Sequence, residues 1–311
     1  MFDADHDARV RRAAFAWLSD QVALRGDVLP RHLLAQGFQL DGIYVPLVGP
    51  KGIFKPRLMS EAPLSITTAP DGPYEDSFRD DGLLQYRYRG ADPDHPDNRG
   101  MRFAMQRHLP LVYIHGVVPG KYLVTWPVFV VEDDPASLTF TVAVDDARAA
   151  ALSAGAEAQQ FVAEPEMAHR SYMTAAVRVR LHQRAFRERV LDAHQRQCAF
   201  CRLRHEELLD AAHIIPDTEP GGEPHVRNGL ALCTLHHAAF DRRFIGLRPD
   251  FTIEVREDLR RERDGPTLVH AIQRLHGSRI LLPRRVEHRP ARELLAARYE
   301  RFREAIDERR A

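Results

Sequence analysis

Cysteine usage constrains this chain more than any other feature. Three cysteines occur among 311 residues: Cys198, Cys201 and Cys233. The first two form a Cys-x2-Cys pair, and the third opens a Cys-x2-His pair that ends at His236. Thirty-one residues separate Cys201 from Cys233. An odd cysteine count argues against a disulfide framework and for a metal or free thiols. One such pair is a weak signal, but two half-sites at this separation use every cysteine and supply three thiols and an imidazole. That is the donor set of a closed, tetrahedral structural Zn2+ site. The segment between the half-sites must then fold back on itself.

That segment carries the second pattern. Residues 209–216 (LDAAHIIP) read as a strand, residues 217–226 as a Gly/Pro-rich loop, and residues 228–241 (NGLALCTLHHAAFD) as a strand entering a helix. His213, Asn228 and His237, with the flanks AHIIP, NGLALC and HHAAFD, resemble the HNH, or ββα-metal, endonuclease family. The likeness is close over residues 195–245 and looser beyond. It implies phosphodiester hydrolysis with His213 as general base, since a neutral imidazole takes a proton from water near neutral pH. It also implies a catalytic divalent ion, Mg2+, Mn2+ or another. His237 and Asp241 stand at i and i+4 on the helix and can share that ion. In colicin-type members a histidine pair holds this relation. The family commonly draws a further ligand from the residue before the base, which here is Ala212 and cannot bind metal. Asp210 lies two residues earlier on the same strand face and is the expected replacement. His236 and His237 then serve different metals, which is feasible because helical neighbours point ~100° apart. Asn228 is expected to tie the loop down through side-chain-to-backbone hydrogen bonds. Any one of these histidines alone would read as a surface or core residue; the combined spacing carries the assignment.

The halves of the chain differ in charge. Residues 1–165 hold 16 Lys and Arg against 22 Asp and Glu, and residues 166–311 hold 28 against 22. A basic half beside an acidic one suits contact with a polyanion, although two unlike solvated surfaces would give the same count. The hydrophobic share of 44% excludes a disordered chain. No run approaches the ~18–20 apolar residues of a membrane span. The charged first twelve residues lack an apolar signal core, so a cytoplasmic protein is expected.

Apolar spacing predicts a helix over residues 7–24 and a short one over 30–36. Short strands follow over 43–48, 53–58, 64–67, 83–88, 111–118, 123–131 and 138–144, a pattern of a barrel or curled sheet. Residues 90–100 read as a long polar loop. An Ala-rich connector leads to a helix over 178–194. A hairpin over 244–247 and 251–255 and a last helix over 290–309, its charges a solvated face, complete the chain. The expected architecture is α+β: a β-barrel-like domain over 1–146, a linker over 147–177 and a zinc-stapled nuclease domain over 178–311.

Residues 42–47, 49–57 and 84–90 give the first domain a likeness to PUA-like or SRA-like modules. Such modules read modified bases in McrA-like, modification-dependent restriction enzymes. The likeness implies a pocket for a flipped base, with stacking from Tyr44, Phe54, Tyr74, Tyr86, Tyr88 or Trp126 and acceptors at Asp76 or Asp92. The plainer reading is that most of these aromatics are barrel core. The expectation is a restriction endonuclease that cuts double-stranded DNA near modified cytosines, as a homodimer because each chain has one site. The alternatives are a nuclease specific for unmodified sequence or DNA structure and a catalytically silent zinc module that binds DNA.

Overall fold

The computed structural model describes residues 2–70, 77–79, 83–144, 164–263 and 265–307. Tyr74, Asp76 and most of the expected linker lie outside them. The chain divides into two compact units, Met1–Arg184 and Ala185–Ala311.

The first unit is built on a curled, mixed sheet of eight strands, joined by a small hairpin of β2 (Phe38–Leu40) and β3 (Ile43–Val45). The sheet strands are β1 (Val28–Pro30), β4 (Ile53–Phe54), β5 (Ser65–Thr68), β6 (Ser77–Phe78), β7 (Leu84–Arg87), β8 (Leu111–Val118), β9 (Lys121–Asp134) and β10 (Thr139–Val144). Their order is β4-β5-β8-β9-β10-β7-β6, and β1 pairs with the start of β9. Among the described strand pairs only β5 and β8 run parallel. Alternation along β8 shows why these strands read as continuous apolar runs. Leu111 and Tyr113 enter one core, Val112 and Ile114 the other. A sheet buried on both faces needs apolar residues at both parities. One face is covered by α1 (Ala4–Arg25) through Val10, Ala14 and Leu18.

The other face is covered where a loop was expected. Residues 96–106 form helix α3 (Pro96–Gln106), after the short α2 (Arg31–Gln36). Pro96 sits in its first turn, where a missing N–H costs nothing. Met101 and Ala104 are buried against the sheet. The polarity that suggested a loop is consumed internally. Asn98 is fully buried; its Nδ2 donates to the carbonyls of Arg89 and Asp92, and its Oδ1 accepts from the Arg89 N–H.

A long helix α4 (Glu164–Ala193) runs from the first unit into the second. The second unit then contains the antiparallel pair β11 (Leu209–His213) and β12 (Gly229–Cys233), followed directly by α5 (Thr234–Asp241). A second hairpin, β13 (Ile245–Leu247) with β14 (Ile253–Val255), two short helices, α6 (Glu257–Arg261) and α7 (Pro266–Ala271), and α8 (Arg292–Asp307) close it. One core joins Phe186, Val190 and Leu191 of α4 to both hairpins, Phe240 and Leu295. Gly229 permits the close approach of β12 to α4: a Cβ there would lie 2.3 Å from the Val190 side chain. No helix among the described residues is long and apolar enough to cross a membrane.

Candidate active site and metal centre

The knuckle at Cys198–Cys201 is held by backbone bonds, with the Cys198 N–H donating to Leu203 and the Arg202 N–H to Cys198. Ala199 donates to Ala231 and so ties the knuckle to β12, which ends at Cys233. His236 follows in the first turn of α5. The ligand atoms of Cys198, Cys201, Cys233 and His236 all lie within 4.8 Å of one another. The Cys201 and Cys233 sulfurs are 4.0 Å apart, and His236 Nδ1 is 3.4 Å from Cys198 Sγ and 3.2 Å from Cys233 Sγ. Zinc–sulfur bonds of ~2.3 Å in a tetrahedron require edges of about 3.8 Å, so the cage has the right size. His236 Nε2 donates to the Ala271 carbonyl at 2.7 Å, leaving Nδ1 free to ligate. Hydrogen bonds from Cys198 and Cys201 hold the Cys233 thiol far below its usual value. Burial alone would lower the His236 pKa, but its bonds to Cys198 and Cys233 push it up to about 10. The Cys201 thiol is pushed the other way, up, by its bonds to Cys198 and Cys233, so the cluster favours one thiolate, and metal binding would displace the protons that the other donors hold.

The second constellation lies on the same strand pair and helix. His213 ends β11, opposite Gly229. Its ring stacks on Phe186 with centroids 4.1 Å apart, and its Nε2 is enclosed without a partner. Burial lowers its pKa, and the neighbouring His237 lowers it further, against the pull of Asp217, Asp210 and Asp241. His213 is thus neutral at neutral pH. The His237 imidazole sits between two carboxylates. Its Nε2 is 3.3 Å from Asp241 Oδ2 and its Nδ1 is 3.7 Å from Asp210 Oδ2. The bond to Asp241 raises the His237 pKa. Burial would raise that of Asp241, but His237, Arg298 and Arg242 bring it below its usual value. Asp210, His237, Asp241 and Arg242 line one open concavity of about 470 Å³.

Asn228 takes no place in that concavity. It is fully buried, with Nδ2 donating to the carbonyls of Ile215 (2.9 Å) and Glu223 (3.3 Å) and Oδ1 accepting from the Ile215 N–H (2.9 Å). These bonds close the loop between β11 and β12.

In the first unit a cavity of about 490 Å³ is lined by Lys51–Ile53, Thr67–Ala69, Tyr86–Gly90 and His95, among others. Tyr86 and Tyr88 line it; Tyr44, Phe54, Asp92 and Trp126 do not. Both lining tyrosines are largely buried. Tyr86 donates to the Thr67 carbonyl, and Tyr88 stacks on Phe140 and bonds Asp133 and Arg102. Tyr44 is exposed on the β2–β3 hairpin, Trp126 packs against the core beneath α1, and Asp92 accepts from the Asp94 N–H in its own turn.

Two neighbours of the nuclease constellation escape a sequence reading. Phe186 lies on the preceding helix and has no motif. Arg298 lies on the last helix, whose charges read as a solvated face; it is in fact buried beside Asp241. Its spacing from Leu295 and Phe302, both fully buried, is the signal that marks its face.

Residues 198–248 match the family model of the HNH endonucleases. That stretch holds every cysteine and His213, Asn228, His237 and Asp241. No curated protein matches the chain. Among the solved structures that resemble the chain, two restriction endonucleases are loosely similar. A modification-dependent TagI restriction endonuclease shares 15% identity at a TM-score of 0.29, over 78% of this chain and 82% of that one. The type IV phosphorothioation-dependent restriction endonuclease ScoMcrA shares 17% identity at a TM-score of 0.21, over 78% of this chain and 57% of that one. With the matched residues folded as a strand pair and helix around a Cys3His cluster, the chain carries, in its C-terminal unit, a domain of the HNH endonuclease family.

Proposed function

We propose that this chain is a modification-dependent restriction endonuclease that hydrolyses phosphodiester bonds of double-stranded DNA near modified cytosines. The observation that carries the nuclease part is the convergence of His237, Asp241 and Asp210 on one open concavity, on the strand and helix that also hold His213. His213 accepts the proton of the attacking water. With Nε2 enclosed, we assign Nδ1 as the nitrogen that takes the proton, and burial against Phe186 keeps the ring neutral. His237 and Asp241 would hold the divalent ion, Mg2+ or Mn2+. Their facing donor atoms are 3.3 Å apart, near the ~3 Å between adjacent ligands of an octahedral ion with bonds of ~2.1 Å. When bound, that ion supplies positive charge to the phosphate and leaving oxygen. Asp210 faces the opposite ring nitrogen. There it is better placed to orient His237 than to complete the ligands as the strand pattern suggested. Arg242, exposed on the rim of the concavity, is available to a phosphate. The Cys3His cluster takes Zn2+ as a structural ion.

The first unit is proposed as the reader, a PUA-like or SRA-like module whose 490 Å³ cavity accepts a flipped base beside Tyr86 and Tyr88. Lys51, Arg87, Arg89 and His95 at the same cavity suit the phosphates that flank such a base. Two copies of the chain would cut the two strands. Matched plasmids, unmodified or carrying methyl- or hydroxymethylcytosine, test the reading with Mg2+ or Mn2+ present. Cleavage confined to modified plasmid is expected, and Tyr86→Ala should weaken the preference by about 1–3 kcal/mol. Equal cleavage of all plasmids removes the reader and leaves the nuclease.

A further inference from the structure

We propose that Arg298, on the last helix and outside the family-matched stretch, is a positioning residue for the divalent-ion site. The proposal rests on the reading of His237 and Asp241 as ligands of that ion.

The path from fold to side chain is short. Helix α8 packs on β13 through Phe302, whose ring lies against Gly246; a Cβ at that glycine would come within 2.5 Å of the ring. Leu295 and Phe302 share the buried face, and Arg298 stands between them, three residues after one and four before the other. Seating that face carries Arg298 to the C-terminal end of α5. There the guanidinium carbon lies 4.8 Å from the Phe240 ring centroid, and Nη2 donates to the Phe240 carbonyl at 3.1 Å. The same Nη2 is 3.7 Å from Asp241 Oδ1. The two oxygens of Asp241 are thus divided: Oδ1 faces Arg298 and Oδ2 faces His237 Nε2.

A buried cation is costly unless its partners are well placed. Burial lowers the pKa of Arg298, while Arg243 and Arg301 add repulsion. The chain tolerates this arginine 57 residues beyond the carboxylate it meets. Its contacts serve two ends: they add a second donor to the Phe240 carbonyl, which also accepts from the Arg243 N–H, with positive charge at the C-terminal end of α5, and they limit rotation of the Asp241 carboxylate. The second keeps Oδ2 on the side of His237, so that both donors face one point.

Charge and position predict opposite results, which makes the test decisive. As mere charge, Arg298 repels a divalent cation, and removing it tightens binding. As a positioning residue it preorganises the ligands, and removing it weakens binding. Full-length, zinc-loaded protein is titrated with Mn2+ by calorimetry or paramagnetic resonance, as wild type, Arg298→Met, Arg298→Lys and Asp241→Ala. Mn2+ affinity is expected to fall about tenfold in Arg298→Met and to be only partly restored by Arg298→Lys, which keeps charge but loses the planar fork. DNA binding measured without divalent ion should change less than twofold, while single-turnover cleavage at fixed Mn2+ falls with occupancy. If Arg298→Met does not fold, Arg298→Lys alone decides: a several-fold loss of Mn2+ affinity supports the role, and wild-type affinity overturns it. Unchanged or tighter Mn2+ binding in a folded Arg298→Met also overturns it. Wild-type Mn2+ binding by Asp241→Ala overturns the ligand reading and the proposal together.

Discussion

His236 and His237 are adjacent in sequence and opposite in circumstance. His236 is 1% exposed, bonded through Nε2 to a backbone carbonyl and turned through Nδ1 to two sulfurs. The His237 side chain is 24% exposed and faces two half-exposed carboxylates across an open concavity. One histidine completes a cluster of four donors and the other borders an open concavity. The lesson concerns completeness of coordination. A site closed by four protein donors serves folding, whereas a catalytic site must keep room for water and phosphate.

The largest expected effect falls on the closed side of this comparison. Cys198→Ala or His236→Ala should release zinc and unfold the second unit, because structural zinc contributes on the order of 10 kcal/mol to folding. Elemental analysis and hydrogen exchange of the β11–β12 amides measure this. A folded, zinc-free variant would erase the distinction between the two histidines. On the open side, His237→Ala should keep zinc and fold while cleavage collapses, because the cation site loses its imidazole. Loss of zinc from that variant would show that the two sites are not separate. His213→Ala should lower single-turnover cleavage by about 10²–10⁴-fold with DNA affinity nearly unchanged, since a general base acts in the transition state. A wild-type rate would move the base elsewhere. The burial that depresses the His213 pKa also means that cleavage should hold as pH falls through 6.5 and fail only below it.

The smallest effect comes from a third histidine, buried without a metal. His194 is fully enclosed, neither ring nitrogen has a bonding partner, and burial lowers its pKa to about 4, only partly offset by the nearby backbone of Leu281 and Gly229. Between pH 6.5 and 4 the unfolded chain binds the proton that the folded one refuses. The stability at stake is present above the unfolded pKa and is lost as pH falls toward 4, by about 3 kcal/mol. His194→Phe should flatten that acid slope in hydrogen exchange of the second unit. An unchanged slope would assign the acid sensitivity to other groups.

Much of the fold was legible because it follows local rules. Helix α1 and strands β8 to β10 show their periodicity directly. Helix α3 did not, because its polar residues satisfy one another: Asn98 spends its amide on Arg89 and Asp92, and a composition rich in Asp, Asn and Pro hides such pairing. Among the site residues, short spacings such as i, i+3 and i, i+4 translate reliably into shared faces, so Cys233 with His236 and His237 with Asp241 could be paired by counting. Of the expected base-pocket residues, Tyr86 and Tyr88 share a cavity, as β7 and the residue after it dictate, whereas Tyr44 and Trp126 belong to other surfaces of the first unit.

The sequence by itself determined the Cys3His cluster, the strand–helix motif and the HNH domain, because these depend on residue chemistry at short separations. Tertiary structure alone decided which groups surround them. Phe186 meets His213, Asp210 takes the far nitrogen of His237, and Arg298 reaches Asp241 only because Phe302 seats its helix on Gly246. Those contacts span 27 to 57 residues in sequence or depend on side-chain direction. No local period encodes them: they are settled by how the core packs, and packing is a property of the whole unit.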